Sequence, residues 1–259
     1  MQNILWQKTL AAIVRKGGLH AVEEIACANI NNLEHMTHQK EELLANTKAF
    51  VEGKEANHAL LWGEMGCGKS TLVRAVFCHF VKQPNSNLRL VEISRNELTN
   101  LFEILEVLRQ QSSFRFILFC DDFSFEANSV IISELKNLLE GSIQAPPSNV
   151  IFYATSNRKH LVRKEWRESQ NFLQEREDGR EMLSLSDRFG LWISFYELQN
   201  SEYIKLCERL CEVGELCEEK REDFKAQACA FARLRGVRSG RVAMQFARFY
   251  KANGGDFEC

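Results

Sequence analysis

A glycine-rich stretch in the first third of the chain carries the residue types that hold phosphate groups. Residues 63–70 read GEMGCGKS and satisfy the pattern GxxxxGK[ST]. Glycines let such a loop fold with its backbone N–H groups facing a phosphate, while the lysine adds positive charge and the hydroxyl faces Mg²⁺. These two side chains are Lys69 and Ser70. The predicted nucleotide-binding residues are Gly63, Glu64, Met65, Gly66, Cys67, Gly68, Lys69, Ser70 and Thr71.

Two adjacent acidic residues end an apolar run further along the chain. Residues 116–120 read FILFC, and Asp121 and Asp122 follow them. At the carboxyl end of a buried strand, we expect Asp121 to join Ser70 in holding Mg²⁺ and Asp122 to polarise an attacking water. Two solvated acids at a strand end would give the same pattern. The phosphate-binding loop upstream favours the catalytic interpretation.

The elements that position these residues alternate between strands and helices. Helical spacing of apolar residues covers 71–81 and 130–139, and short apolar runs predict buried strands around them. Such alternation is typical of an α/β fold in which helices sandwich a mainly parallel sheet. The phosphate-binding loop falls between the first strand and the next helix, which is the context it needs. The five predicted strands are residues 59–62, 88–93, 114–120, 150–154 and 191–195.

Helical spacing also dominates both ends of the chain. It predicts N-terminal helices over residues 4–15 and 40–52 and further helices after Tyr196. Because no strand-like run follows Tyr196, the last part should form an all-helical lid, with Ser239 as the N-cap of its final helix. The predicted domains are an N-terminal helical extension at 1–35, an α/β nucleotide-binding domain at 36–197 and a lid at 198–259.

Composition limits the classes of protein to which the chain can belong. It has 33 Lys and Arg against 35 Asp and Glu, a net charge of −2, so it is not a strongly basic protein. With 45% apolar residues among 259, it can bury a large core. No run approaches the roughly 18 apolar residues of a membrane span, and no cleavable signal is evident. We therefore expect no membrane association.

Nine scattered cysteines without a CxxC pair predict reduced thiols and, with the missing signal, a cytoplasmic location. Cys207, Cys211 and Cys217 are close enough in sequence to suggest a metal site. However, Cys207 and Cys211 are four residues apart in a helical pattern beside Leu206 and Leu210. That spacing favours packing in a core over zinc binding.

Together, the phosphate-binding loop and the Asp121–Asp122 strand end resemble those of the AAA+ ATPases. The resemblance implies three more site residues. Asn157, after the strand at 150–154, would orient water or contact the γ phosphate. Arg188, in the run that precedes the last strand, would be an arginine finger that reaches the nucleotide of a neighbouring subunit. Arg241, in the lid, would contact the γ phosphate of its own subunit.

Each of these three residues has an alternative interpretation. Asn157 fits a turn that ends a strand, and Arg188 could pair with a neighbouring carboxylate. Arg238 competes with Arg241 for the position in the lid. The lid arginines could also form a basic patch for nucleic acid, although the acidity of the chain counts modestly against it. That cluster consists of Arg233, Arg235, Arg238 and Arg241.

The chain is similar, over roughly residues 36–250, to a bacterial AAA+ ATP-binding family known mainly as a domain of unknown function. The similarity lies in the runs HQK at 38–40, ALLWG at 59–63, TSNR at 155–158 and SLSDRFG at 184–190. The bacterial replication initiator and the helicase loaders are more distantly similar. The resemblance implies a fold and ATP chemistry, but it indicates no client.

These features predict a Mg²⁺-dependent AAA+ ATPase that binds ATP, assembles as a homo-oligomer and acts on a macromolecular client. Many AAA+ motors have glutamate where this chain has Asp122, and the shorter side chain predicts slow, switch-like hydrolysis. A nucleic-acid loader and a non-hydrolysing ATP-binding scaffold are alternatives. A small-molecule kinase is another, without an acceptor motif to favour it. No pattern indicates the adenine pocket.

Overall fold

The computed structural model describes residues 4–123, 135–139, 144–157, 187–213 and 218–253. A seven-stranded sheet forms its centre, with the strand order β2-β1-β4-β5-β6-β3-β7. The β1–β2 pair is antiparallel, and the other neighbouring strands are parallel. The strands are β1 (Ala11–Arg15), β2 (Gly18–Val22), β3 (Ala59–Gly63), β4 (Leu88–Glu92), β5 (Arg115–Cys120), β6 (Val150–Ser156) and β7 (Leu191–Phe195).

The five strands predicted from apolar runs are confirmed as β3 to β7. Helices cover both faces of the sheet, so residues pointing to either face are buried and the runs are continuously apolar. The order β5-β6-β3 at the middle of the sheet places the carboxyl ends of these parallel strands side by side. The phosphate-binding loop after β3 therefore lies at the same edge of the sheet as the acidic residues after β5, with the end of β6 between them.

The predicted helix over residues 4–15 is wrong, because residues 11–15 form β1 and the sheet gains a hairpin at its edge. Lys16 and Gly17 have φ angles of 50° and 68°, the left-handed pair that a two-residue hairpin turn requires. Both of their N–H groups donate to the Glu97 carboxylate, at 2.8 Å each. A short run of Ala, Ile and Val fits helix and strand alike, and its pairing with β4 decides for the strand.

The helices follow the prediction more closely. α1 confirms the helix expected over 40–52, and α2 confirms the one over 71–81. Of the helix expected over 130–139, residues 135–139 are helical and 130–134 lie outside the described residues. None of the described helices is long and apolar enough to cross a bilayer. The helices are α1 (Thr37–Val51), α2 (Lys69–Val81), α3 (Leu101–Arg109), α4 (Asn200–Cys211), α5 (Glu218–Arg235) and α6 (Gly240–Ala252).

Alternate residues of the central strands feed two cores, one on each face of the sheet. Leu61 and Phe119 pack with residues of α1 and α2 on one face. Leu60 and Leu118 pack with residues of α3 on the other. The sheet is thus sandwiched by helices as expected, and the rigid middle strands hold the site at their carboxyl ends.

The last three helices, α4 to α6, pack around a core of their own that contains Phe224, Phe246 and Tyr250, and we refer to this helical cluster as the lid. The Ser239 hydroxyl accepts the Val242 N–H at 3.3 Å, which confirms the predicted N-cap of α6. Cys207 is buried in this core, as expected. Within the described residues, no group of three or more His, Cys, Asp or Glu could hold a metal ion. Cys217 lies outside those residues.

The expectation that every cysteine is reduced is wrong, because Cys27 and Cys78 form a disulfide. They are separated by 51 residues in sequence, yet their Cα atoms are 5.9 Å apart, a separation that a disulfide can span. The bond ties the segment before α1 to α2. Sequence spacing could not indicate it, since the two residues meet only in the folded chain. Five other described cysteines are free thiols.

Candidate functional site

The phosphate-binding loop joins β3 to α2 and is closely covered by the rest of the chain. Gly66 and Gly68 have φ angles of 78° and 95°, in the left-handed region that favours glycine. A Cβ atom at Gly66 would lie 2.9 Å from Ser239 Oγ, and one at Gly68 would lie 2.8 Å from Met36 Cε. The lid and the segment before α1 are therefore in close contact with this loop, although the atom near Gly68 is the terminal methyl group of Met36, which can move aside.

Lys69 is buried at the base of the loop. Its ammonium group donates to the carbonyl oxygens of Gly63 at 2.8 Å and Glu64 at 2.7 Å. Burial lowers the pKa of Lys69, while nearby Cys67, Asp121 and Glu64 act in the opposite direction. An ammonium group carries three N–H donors, so one is left for a phosphate.

Asp121 receives hydrogen bonds from two neighbouring elements. Ser70, in the first turn of α2, donates its hydroxyl to Asp121 Oδ1 at 2.5 Å. Thr155, near the end of β6, donates its hydroxyl to the same oxygen at 2.6 Å. The backbone N–H of Asp122 also donates to it, at 3.1 Å. The predicted metal residues Ser70 and Asp121 are thus in direct contact.

Asp122 and Asn157 form a second contact at this edge of the sheet. The Asn157 amide donates to Asp122 Oδ1 at 2.5 Å. Asp122 has a φ angle of 52°, which is uncommon for a residue other than glycine. Its N–H group donates to Thr155 Oγ1 at 2.9 Å. Both predicted residues face the same cavity as Lys69.

A cavity of about 450 Å³ lies between the loop, the lid and the segment before α1. Its polar lining includes Lys69, Ser70 and the two acids. The lining also includes apolar side chains, a kind of surface that suits a flat aromatic base. Those residues are Leu33, Met36, Leu206, Leu210 and Met244. Met65, Gly66, Cys67, Gly68 and Thr71 also line the cavity, whereas Gly63 and Glu64 do not.

The Ser70 hydroxyl and the Asp121 carboxylate fit a magnesium ion. Mg²⁺ prefers hard oxygen ligands and is usually held by one or two protein groups together with phosphates and waters. The Ser70 hydroxyl donates its hydrogen bond to Asp121 Oδ1, so the lone pairs of Ser70 Oγ stay available to a cation. The pair in the polar lining of the cavity therefore offers the right kind of donor next to the expected place of the phosphates.

The two lid arginines differ in position. Arg241 lines the cavity, and its backbone N–H donates to the Gly66 carbonyl at 3.2 Å. Arg238 does not line it; its Nε donates to the Leu198 carbonyl at 3.1 Å, and its Nη2 lies 3.7 Å from Glu197. Of the two competitors, Arg241 is the one that lines this cavity.

Arg188 does not line the cavity of its own chain. It lies in a turn before β7, a strand that runs parallel to β3. The turn is therefore at the amino-terminal edge of the sheet, whereas the phosphate-binding loop follows the carboxyl end of β3. Five strand residues separate the two edges by about 15 Å. The structure does not bring Arg188 together with the other predicted residues.

A family model described as "Protein of unknown function (DUF815)" matches residues 3–254. The chain belongs to the DUF815 family. No curated protein matches the DUF815 chain.

Solved structures show which fold this DUF815 chain has. Thermotoga maritima RuvB, titled as a Holliday junction branch migration motor, is 17% identical with a TM-score of 0.53. The match covers 86% of the DUF815 chain and 62% of RuvB. Caenorhabditis elegans PCH-2 is 14% identical with a TM-score of 0.58, and the match covers 86% of the DUF815 chain and 64% of PCH-2. The chain thus has the AAA+ fold and spans less than two thirds of these neighbours.

Sequence reasoning missed several residues at the site of the DUF815 chain. Thr155 bonds both acids, and its position two residues before Asn157 on one strand was the available signal. Arg74 lines the cavity one helical turn after Ser70. Arg209 of α4 also lines it, pairs with Glu34 and donates to the Asn32 carbonyl at 3.1 Å. No local pattern links residue 209 to residues 32–34, because the contact joins the lid to the segment before α1.

Proposed function

We propose that this DUF815 protein is a Mg²⁺-dependent ATPase of the AAA+ type. One observation carries the proposal: Ser70, at the end of the phosphate-binding loop, donates its hydroxyl to Asp121 at 2.5 Å. Residues 65–68 of the loop, Ser70 and Asp121 line one cavity together with Lys69, which supports a site for a nucleotide and its metal ion. A glycine turn with a surface lysine would have no reason to place a buried ammonium group and a carboxylate there.

The cavity accounts for how ATP would bind. The loop N–H groups and Lys69 would hold the β and γ phosphates, and Arg241 would contact the γ phosphate from the lid. The adenine ring would contact apolar residues of the lining, which include Leu33 and Met36 of the segment before α1 and Leu206 and Met244 of the lid. Because these residues belong to different parts of the chain, a bound nucleotide would hold the lid against the α/β domain.

Ser70 and Asp121 would hold the magnesium ion. When bound, Mg²⁺ supplies positive charge that stabilises the phosphate oxygens as negative charge develops on them. Asp122 would accept a hydrogen bond from the attacking water, and the Asn157 contact would keep Asp122 in place. The water oxygen bonds to the γ phosphorus as the bond to the β–γ bridging oxygen breaks, which releases ADP and inorganic phosphate.

The aspartate at position 122 supports slow hydrolysis and a switch-like role. Its carboxylate is one methylene closer to the backbone than that of a glutamate, and one of its oxygens is already bonded to Asn157. The shorter side chain leaves the carboxylate further from a water at the γ phosphate, while the Asn157 contact fixes its orientation. The protein would spend most of its time with ATP bound.

Arg188 supports assembly into a homo-oligomer. It lies at the opposite edge of the sheet from its own phosphate-binding loop, so it could neutralise charge only at the nucleotide of another copy. The assembled protein would act on a macromolecular client, and nucleic acid is one candidate class. A cytoplasmic location is supported by the five free thiols, while the Cys27–Cys78 disulfide argues against it.

The test compares ATP binding and hydrolysis in the wild type and Asp122→Asn. Wild-type protein should bind ATP with Mg²⁺ in calorimetry and hydrolyse it slowly. Asp122→Asn should keep its ATP affinity and lose about 100-fold in hydrolysis, since asparagine accepts no proton. Asp223→Asn, on the exposed side of α5, is the matched control and should match the wild type.

Two outcomes would contradict this function. If the wild type binds no ATP in the presence of Mg²⁺, the protein is not an ATPase of this kind. If Asp122→Asn hydrolyses ATP at the wild-type rate, Asp122 has no part in the chemistry, although nucleotide binding would stand.

A further inference from the structure

Thr155 lies between the two acids at the carboxyl edge of the sheet. It is the penultimate residue of β6 and is 2% exposed. Its hydroxyl is 2.6 Å from Asp121 Oδ1 and 2.9 Å from the backbone nitrogen of Asp122. Its carbonyl oxygen accepts the Phe123 N–H at 2.6 Å. One residue of β6 therefore contacts three consecutive residues after β5.

The direction of each hydrogen bond follows from the groups involved. The Asp122 N–H can only donate, so it occupies a lone pair of the Thr155 oxygen. An ionised carboxylate can only accept, so the Thr155 O–H must point at Asp121 Oδ1. The hydroxyl has one proton, and these two partners fix where it lies. Thr155 therefore holds Asp121 in one orientation.

The two carboxylate oxygens of Asp121 have different hydrogen-bond partners and therefore different roles. Oδ1 receives hydrogen bonds from Ser70, Thr155 and the Asp122 N–H. No residue in the described part of the chain bonds Oδ2. Oδ2 is thus available to a metal ion or to one of its waters, provided that Asp121 keeps this orientation.

The same residue also supports the backbone of Asp122. A left-handed φ angle costs free energy in any residue with a Cβ atom, so neighbouring bonds must hold Asp122 at 52°. Thr155 supplies two of them, through its hydroxyl to Asp122 and through its carbonyl to Phe123. Without the hydroxyl, both acids lose a restraint at once.

We propose that Thr155 is a positioning residue that sets Asp121 for magnesium and Asp122 for water. It can have this role only if the proposed function holds. The competing view is that a buried hydroxyl simply stabilises the fold. Thr47 provides the contrast: it is fully buried, its hydroxyl bonds the Leu43 carbonyl at 2.7 Å and Tyr153 Oη at 2.8 Å, and it does not line the cavity.

The experiment measures how much Mg²⁺ tightens ADP binding in four proteins. They are the wild type, Thr155→Val, Thr155→Ser and Thr47→Val. Valine keeps the shape of threonine without the hydroxyl, and serine keeps the hydroxyl without the methyl group. For each protein, calorimetry gives the ADP Kd with excess Mg²⁺ and with a chelator, and the ratio of the two is compared. Hydrolysis provides kcat and KM separately.

We expect Thr155→Val to keep the metal-free ADP affinity and to lose most of the tightening by Mg²⁺. Its kcat should fall by about 10- to 100-fold, the usual cost of removing a group that orients a metal ligand. Thr155→Ser should stay within about threefold of the wild type. Thr47→Val should lower the melting temperature and leave both the Mg²⁺ effect and kcat unchanged. If Thr155→Val does not fold, Thr155→Ala replaces it. This variant also lacks the hydroxyl, and we expect the same result from it.

A wild-type Mg²⁺ effect in both Thr155→Val and Thr155→Ala would overturn the proposal. So would a serine variant as impaired as the valine variant, since the methyl group would then be the important part. Thr47→Val with the same loss of kcat would show that any buried hydroxyl has this effect, and it would also overturn the proposal. If the wild type binds no nucleotide at all, the proposed function itself fails, which is a distinguishable result.

Discussion

The two edges of the central sheet both carry buried polar groups, yet they use them differently. At the amino-terminal edge, Asn46, Thr47, Asn57 and Tyr153 bond one another. Asn46 alone donates to the Asn57 carbonyl and to Tyr153 Oη, and it accepts the Asn57 N–H. Burial raises the pKa of Tyr153 to about 12, so this phenol stays neutral. The set is closed.

At the carboxyl-terminal edge, the polar groups hold one another but keep capacity for a ligand. Lys69 retains an N–H and Ser70 retains lone pairs beyond those used by their partners in the described part of the chain. Burial and hydrogen bonding alone therefore do not identify a functional site. What identifies it is a polar group that is held in place while some of its donors or acceptors remain unused, beside a cavity.

Arg188→Ala tests the contrast between the two edges most directly. Arg188 lies at the amino-terminal edge, and yet we expect it to act in catalysis. We expect hydrolysis to fall by about a thousandfold, since an arginine finger neutralises charge in the transition state. ATP affinity should stay unchanged. A sharp control mixes Arg188→Ala with Lys69→Ala: one variant keeps its nucleotide site and the other keeps its finger, so activity should return in mixed oligomers. Mixtures that stay inactive would argue against a finger acting between copies.

Lys69→Ala should affect binding instead. Removing the ammonium group deletes a charge-assisted bond to phosphate, and we expect ATP affinity to fall by about 100-fold in calorimetry. Lys82→Ala is the matched control, because Lys82 is exposed at the C-cap of the same helix. If both variants bound ATP with equal affinity, Lys69 would have no part in binding the phosphates.

At the amino-terminal edge, His58 should make folding stability depend on pH. Its Nδ1 accepts the Phe152 N–H at 2.9 Å, and burial lowers the pKa of His58 from 6.5 to about 4. Between these two pH values the unfolded chain binds a proton that the folded chain excludes. Folding stability is therefore complete above pH 6.5 and falls as the pH decreases towards 4, by about 2 kcal/mol at pH 5.

His58→Asn should remove that part of the pH dependence, because asparagine keeps an acceptor but does not titrate. Denaturant unfolding at pH 7.5 and pH 5 measures it, with His38→Asn as the control because the His38 side chain is 79% exposed. A variant that loses as much stability at pH 5 as the wild type would show that other groups cause the loss.

The fold was predictable where the local pattern allows one interpretation. β5 and β6 are continuous apolar runs because helices cover both of their faces, and the runs alone located them. β1 was not predictable, since Ala11–Arg15 becomes a strand only through its pairing with β4, more than seventy residues away. The five-residue run contains too few positions to separate the two periods.

The site shows the same division. The phosphate-binding loop is a local motif, so Lys69 and Ser70 could be predicted from the sequence. Because the two residues are adjacent, they line the same cavity. Thr155 was missed because its role depends on how β6 lies beside β5, and residue 121 is 34 positions away. The apolar lining of the cavity joins residues near 33 and 206, which no sequence spacing connects.

The Cys27–Cys78 bond also changes the chain when it is not folded. It closes a ring that contains α1, β3, the phosphate-binding loop and most of α2. A ring spanning 51 residues has far fewer conformations than an open chain, which in chain-entropy models disfavours unfolding by about 4 kcal/mol. The phosphate-binding loop thus remains within a disulfide-closed ring even in the unfolded chain.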